Sequence, residues 1–205
     1  MALKYASVTF SKLFVDAWIN SYGIIASSAS GIESKINVIC NLFSSAINVS
    51  GSTMVGQNIG AERYERVPRI MLSAFSIVFT ADIILSAILI LFPRTVFGIF
   101  TADEEVIAAS MTMIPLLIVI FLSSAARSPN NGLIDGSGNY RLNFLTAILD
   151  GIVCRIGFSL LFGHVLGMGW IGFLWGDAVA GFTPLVIGGI YFLSGKWKTR
   201  KYLIR

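Results

Sequence analysis

The chain alternates between long apolar runs and short polar breaks, and the runs have the length of membrane crossings. Residues 70–92 (IMLSAFSIVFTADIILSAILILF) carry one charge, Asp82, over 23 positions, enough for a helix to cross a hydrocarbon core of about 30 Å. Residues 106–126 carry no charge and contain Pro115, which a membrane helix tolerates when neighbours satisfy the freed carbonyl. Residues 142–163 form a further span with Asp150 and Arg155 inside, and residues 168–195 another with Asp177 inside. Residues 36–59 are uncharged but mixed. At the helical period Asn37, Asn41, Ser44 and Asn48 fall within about 60° of one another, with Ile39, Leu42, Phe43, Ala46 and Ile47 on the other side. That pattern predicts a helix with one wet face. Residues 2–20 make the weakest span, because Lys12 and Asp16 lie in the membrane unless they pair at their i,i+4 spacing. The expected fold is all-α, a polytopic bundle of about six transmembrane helices in a single lobe over residues 1–205, ending in a basic tail at 196–205.

Composition agrees with that reading. With 55% hydrophobic and 13% charged residues, the chain has about half the charged fraction of a soluble domain, and it has neither the low hydrophobicity of disorder nor a collagen repeat. Cys40 and Cys154 lie apart in apolar stretches, so no disulfide framework or zinc spacing is available. Lys4, Lys12 and Asp16 interrupt what would be the apolar region of a signal peptide, and no small-residue cleavage pattern follows.

The net charge of +4 gathers in loops, where it orients a membrane protein rather than recruiting nucleic acid. Arg63, Arg66 and Arg69 fall in residues 60–69, Arg127 and Arg141 in the 127–141 connection, and Lys196, Lys198, Arg200, Lys201 and Arg205 in the tail. The alternate loops hold only Lys35 and Arg94. Ten against two assigns the Arg-rich loops and the C-terminus to the cytoplasm of a multi-pass cell-membrane protein. Trp18, Tyr22, Trp170 and Trp175 then belong to the outer face, and Trp197 and Tyr202 to the inner. Those loop arginines set topology and contact lipid head groups. Gly56 and Gly60 form a GxxxG, and Gly172, Gly176, Ala180, Pro184 and Gly188 form a four-residue ladder. Close helix packing and a bending helix are both open to that ladder.

INSYG (19–23), ASGIESKIN (29–37) and above all VGQNIGAERYERV (55–67) resemble the multidrug and toxic compound extrusion (MATE) family. The last motif, with Gly56, Gln57, Asn58, Gly60 and Ala61, is similar to the end of the second helix of a lobe, with Glu62 where the family commonly has a second glycine. IDGSGNYR (134–141) is similar to a Gly-x-Gly-Asp loop, with Asn139 in place of the aspartate. The resemblance implies the second six-helix lobe of a 12-span transporter, beginning inside its first helix, and so a truncated or split product. It implies secondary active efflux of cationic or amphipathic organic molecules in exchange for H+ or Na+, with membrane lipids and either the missing N-terminal lobe or a second copy as partners.

Alternating access needs polar groups at membrane depth. Asn37, Asn41, Ser44 and Asn48, with Asn20 near the outer end, are the candidates for the substrate path, since amides both donate and accept. Interhelical hydrogen bonding is the structural alternative. Asp16, Asp150 and Asp177 are candidates for proton or ion coupling. With Asp82 they would cost on the order of 10 kcal/mol if left unpaired at helix centres. Asp150 and Arg155, five apart, lie about 140° around an α-helix and do not face each other directly. The sequence contains no nucleophile–base set, phosphate loop or metal-ligand cluster, so no enzyme, cofactor or metal site is expected. A non-transporting remnant or scaffold and a lipid-linked oligosaccharide flippase are the rival readings. The flippase would require a more cationic cavity than Arg127 and Arg155 supply.

Overall fold

The computed structural model describes residues 2–199, with side chains for 6–199. Arg200, Lys201, Tyr202 and Arg205 lie outside the described residues. Every regular element among those described is helical: α1 (Ala2–Asn20), α2 (Ile24–Gly60), α3 (Val67–Leu91), α4 (Pro93–Gly98), α5 (Glu104–Met111), α6 (Ile114–Gly136), α7 (Tyr140–Ile148), α8 (Arg155–Leu160), α9 (Gly169–Ala180) and α10 (Thr183–Leu193). The chain is an all-α polytopic bundle. By length and composition four segments can cross a membrane: Ile24–Gly60, Tyr64–Leu91, Tyr140–Val165 and Gly169–Leu193. The pair α5 and α6, bent by 55° at its break, passes the same test when taken together, as a broken span or a re-entrant loop. The helix over residues 2–20 is not among them.

Charge placement explains where the helices depart from the expected boundaries. Helix α2 starts twelve residues ahead of the expected 36–59 stretch, because Glu33 is buried rather than at a boundary, while exposed Lys35 reaches over the Phe100 ring at 5.8 Å. At 37 residues it is about 56 Å long. Helix α6 continues to Gly136, so Arg127 is a helix residue rather than part of a loop. Pro115 sits in the first turn of α6, where its missing N–H removes no helical bond. The next turn is short: Asn139 caps α7 by accepting from Leu142 N at 3.2 Å, a role open to Asn and Asp alike.

Between α7 and α8 the chain winds as a π-helix over Leu149–Cys154, and it does so again after α8 over Leu161–Val165. Gly151 within the first segment lies against α1. A Cβ there would meet Ser7 Cβ at 2.6 Å, and Ser11 Oγ donates to the Gly151 carbonyl.

Small residues set the closest approaches. A Cβ on Gly176 would fall 2.2 Å from Ser159 N, and one on Gly172 2.6 Å from Phe162 O. Gly188 faces Asn130 at 2.6 Å. The ladder is thus a packing device, divided by a turn at Gly181 and Phe182 before Pro184 opens α10. The GxxxG of α2 behaves otherwise, since a Cβ on Gly60 meets nothing within 4 Å. The close pair is Gly132 and Gly136 of α6, of which Gly136 presses on Ser52 O at 2.5 Å and Val55.

Two apolar clusters mark the ends. One gathers Ile19, Ile32, Phe97, Leu117 and Phe173, with Trp18, Trp170 and Trp175 at its margin. The other gathers Val55, Ile59, Val67, Leu133, Tyr191 and Trp197, where α2, α3, α6 and α10 meet. Trp18 and Trp197 therefore belong to opposite ends of the bundle.

After α2 the chain turns through Glu62, the one non-glycine residue with positive φ among those described, at 57°. A side chain there costs about 1–2 kcal/mol, which accounts for glycine at the corresponding place in the motif. Glu62→Gly is expected to raise stability by about 1 kcal/mol, read as a higher melting temperature in detergent, with Glu62→Ala giving no gain. Gly176→Ala is expected to cost about 1–3 kcal/mol by forcing α8 and α9 apart. An unchanged melting temperature would contradict that packing.

Candidate functional site

Four turns of α2 carry a continuous polar file. Asn37 Nδ2 donates to Glu33 Oε1 at 3.3 Å, Asn41 Nδ2 donates to Asn37 Oδ1 at 2.7 Å, and Arg127 of α6 donates to Asn41 Oδ1 at 3.1 Å. Ser34 Oγ reaches the other Glu33 oxygen at 3.4 Å. The spacing of four puts Glu33, Asn37 and Asn41 on one helical stripe, so each amide both receives and passes on a hydrogen bond.

Farther along the same stripe the contacts turn to α6. Ser44 Oγ donates to Ser124 O at 3.4 Å, and Ser128 Oγ donates to Ser44 O at 3.0 Å. Asn48 faces Gly132, whose Cβ would lie 3.7 Å from its Oδ1, and that oxygen is buried without a hydrogen bond. The α2 face is thus the seam with α6. Its opposite face is open, with Leu42 64% and Phe43 52% exposed. Asn20 lies apart, exposed at the end of α1.

The second half of the site is ionic. Arg155, 3% exposed, donates to Asp177 Oδ1 on α9 and lies 3.6 Å from Asp150 Oδ1. The Asp150–Arg155 contact corrects the expectation from α-helical spacing. The π-helix between them closes its ladder every five residues, which brings positions five apart back to one side. Lys12 and Asp177 are within electrostatic reach of both Asp16 and Glu33, and Glu33 is within reach of Arg155. No direct ion pair joins Lys12 to Asp16 among the described residues, so the i,i+4 pairing that would let them sit in a membrane span is not made, and both belong to this wider cluster.

Asp82 stands separately, 2% exposed, accepting from Cys40 Sγ at 3.2 Å, with its second oxygen unpartnered. His164 packs edge-on against Phe173 at 4.9 Å. In the motif at the end of α2, Asn58 Nδ2 returns to Met54 O at 2.8 Å, Asn58 O accepts from Arg63 N at 2.8 Å, and Ala61 N donates to Gln57 O at 3.0 Å. Half-buried Gly56 and exposed Gly60 sit within that last stretch. These contacts fasten the turn.

The structure therefore joins Asn37 and Asn41 to Glu33 and Arg127, and Asp150 to Asp177 through Arg155. Glu33 and Arg127 escaped the sequence reading because each lay just beyond an assigned span edge. Glu33 stands four residues before Asn37, and that spacing was the available signal.

The MatE family model matches residues 1–161. Multidrug and toxin extrusion protein 1 of Xenopus tropicalis is 24% identical over 86% of this chain and 31% of its own length. The probable multidrug resistance protein NorM of Thermotoga maritima is 26% identical over 78% of this chain and 34% of its own. Among solved structures, the bent form of the Vibrio cholerae MATE transporter VcmN superposes with a TM-score of 0.84 at 15% identity, covering 98% of this chain and 46% of that one. An outward-facing multidrug resistance MATE family transporter of the MOP superfamily gives 0.82 at 18%, covering 95% and 45%. The chain spans about a third of the length of these curated relatives and under half of these solved structures. A polar file and a buried ion cluster in an apolar helical bundle, this shared fold and the match over residues 1–161 together assign the chain to the MatE family of membrane transporters.

Proposed function

We propose that the chain acts as the C-terminal lobe of a multidrug exporter, exchanging cationic or amphipathic organic molecules for H+ or Na+ by alternating access. One observation carries the reading. The cluster made by Asp16, Glu33, Asp150 and Asp177 with Lys12, Arg127 and Arg155 holds four carboxyl groups against three cationic side chains, linked by hydrogen bonds and electrostatic reach. An acidic excess at membrane depth favours a cation, whether proton, sodium or organic, over an anion. It also weighs against the flippase reading, because Lys12, Arg127 and Arg155 each already have carboxyl groups within reach and none is left over for a diphosphate.

Within this scheme the members differ in availability. Asp150 and Asp177 are committed to Arg155, whereas Glu33, among the described residues, hydrogen-bonds to neutral Ser34 and Asn37. Glu33 and half-buried Asp16 are thus the coupling groups, and Asn37 and Asn41 extend the path from them. Ser44 and Asn48 hold α6 against it. The Arg-rich end faces the cytoplasm, and the other wall of the path comes from the N-terminal lobe or a second copy.

Efflux of an organic cation from cells that produce the chain with its complementary lobe tests the proposal. Glu33→Gln combined with Asp16→Asn is expected to lower efflux about tenfold while membrane abundance stays unchanged. Arg155→Met is expected to abolish accumulation instead, since it leaves two buried carboxylates unpaired at about 3–5 kcal/mol. Undiminished efflux in the carboxyl double variant would return the lobe to a scaffold role.

A further inference from the structure

Helices α2 and α3, antiparallel across the turn at 61–66, leave a groove of about 580 Å³ on the outside of the bundle. It is graded along its length. Asn58, Arg66 and Arg69 line the end at the turn, and Met54, Ile47 and Ile77 line the part that runs into the apolar zone. From Arg69 to Ile77 the helix rises about 12 Å, so polar mouth and apolar floor are separated by a fraction of one leaflet.

Arg66 and Arg69 are exposed, and among the described residues neither makes an ion pair, although Glu62 and Glu65 share their turn. Arg66 caps the start of α3 with helical dihedrals and Arg69 lies three residues on in its first turn, so the two point to the same side. The groove beside them is open rather than filled, with Met54 49% and Ile77 55% exposed. Two cations at the mouth call for a phosphate, for which Arg offers a planar set of donors, while the floor calls for hydrocarbon.

We propose that this groove binds one anionic phospholipid, its phosphate between Arg66 and Arg69 and an acyl chain along Met54, Ile47 and Ile77. Charge complementarity selects the head group, and the apolar continuation selects a lipid over a free anion. Basic pockets between transmembrane helices hold anionic head groups on this principle. The site lies on the α2–α3 face and shares no residue with the Glu33 file or the Arg155 cluster, so it stands whether or not the transport reading does.

Native mass spectrometry tests it on the full chain, extracted from vesicles of phosphatidylcholine doped with phosphatidylglycerol. One phosphatidylglycerol is expected to stay bound per chain, in preference to phosphatidylcholine. Retention should fall about tenfold in Arg66→Gln/Arg69→Gln, fall again in Ile77→Trp, which fills the floor, and persist in Arg94→Gln, which lies in α4 beyond the far end of α3. Equal retention of both lipids, or full retention in the double arginine variant, would overturn the proposal. Displacement by soluble glycerol phosphate would reassign the mouth to a free anion, and loss of the lipid on adding the complementary lobe would reassign the groove to a lobe interface. Either result overturns the lipid site.

Discussion

Arg155 is the interaction on which the interior depends. A guanidinium that is 3% exposed in an apolar bundle is tolerated only when carboxylates surround it, because a buried unpaired ion costs several kcal/mol or more. Asp177 arrives from α9 and Asp150 from the same winding segment. The second contact requires the π-helix, since an α-helix would turn Asp150 away. Winding, ion pairing and packing are therefore one constraint. The widened turn that pairs Asp150 with Arg155 also carries Gly151 against Ser7 and offers a carbonyl to Ser11, so α1 docks where the π segment opens. The segment between α7 and α8 anchors both the first helix and α9.

A similar economy governs the α2–α6 seam. The membrane offers no water to satisfy polar groups, so Ser44, Ser124 and Ser128 exchange hydrogen bonds across it, and Gly132 and Gly136 bring the backbones close enough for that exchange. The contacts change character along one stripe, from packing at Asn48 to a hydrogen-bonded file at Asn37 and Asn41. That gradient gives the stripe one half packed against α6 and one half whose polar groups lie within reach of charge.

Much of this was legible in the sequence. The long apolar runs gave the helical class, and the 3.6-residue period placed Asn37, Asn41, Ser44 and Asn48 on one face. Boundaries were lost wherever a charge was buried: Glu33 and Arg127 looked like span ends because composition does not register a tertiary partner. The Asp150–Arg155 contact was misread because the α-helical period was assumed where a π turn occurs. Glycine spacing alone could not separate Gly56 and Gly60, which open onto space at Gly60, from Gly132 and Gly136, which touch α2. The family motif showed its reason only with the turn in view, where Glu62 takes a conformation suited to glycine.

Water access at Asn41 tests the account's central claim, that the polar file of α2 lines a transport path. Asn41→Cys, with Cys154→Ser, can be labelled in native membranes with a water-soluble maleimide, using the neighbouring buried Cys40 as internal reference. The account predicts that Cys at position 41 reacts, that Cys40 does not, and that an organic cation slows the reaction. A residue 41 thiol as inert as Cys40, with or without the cation, would contradict it.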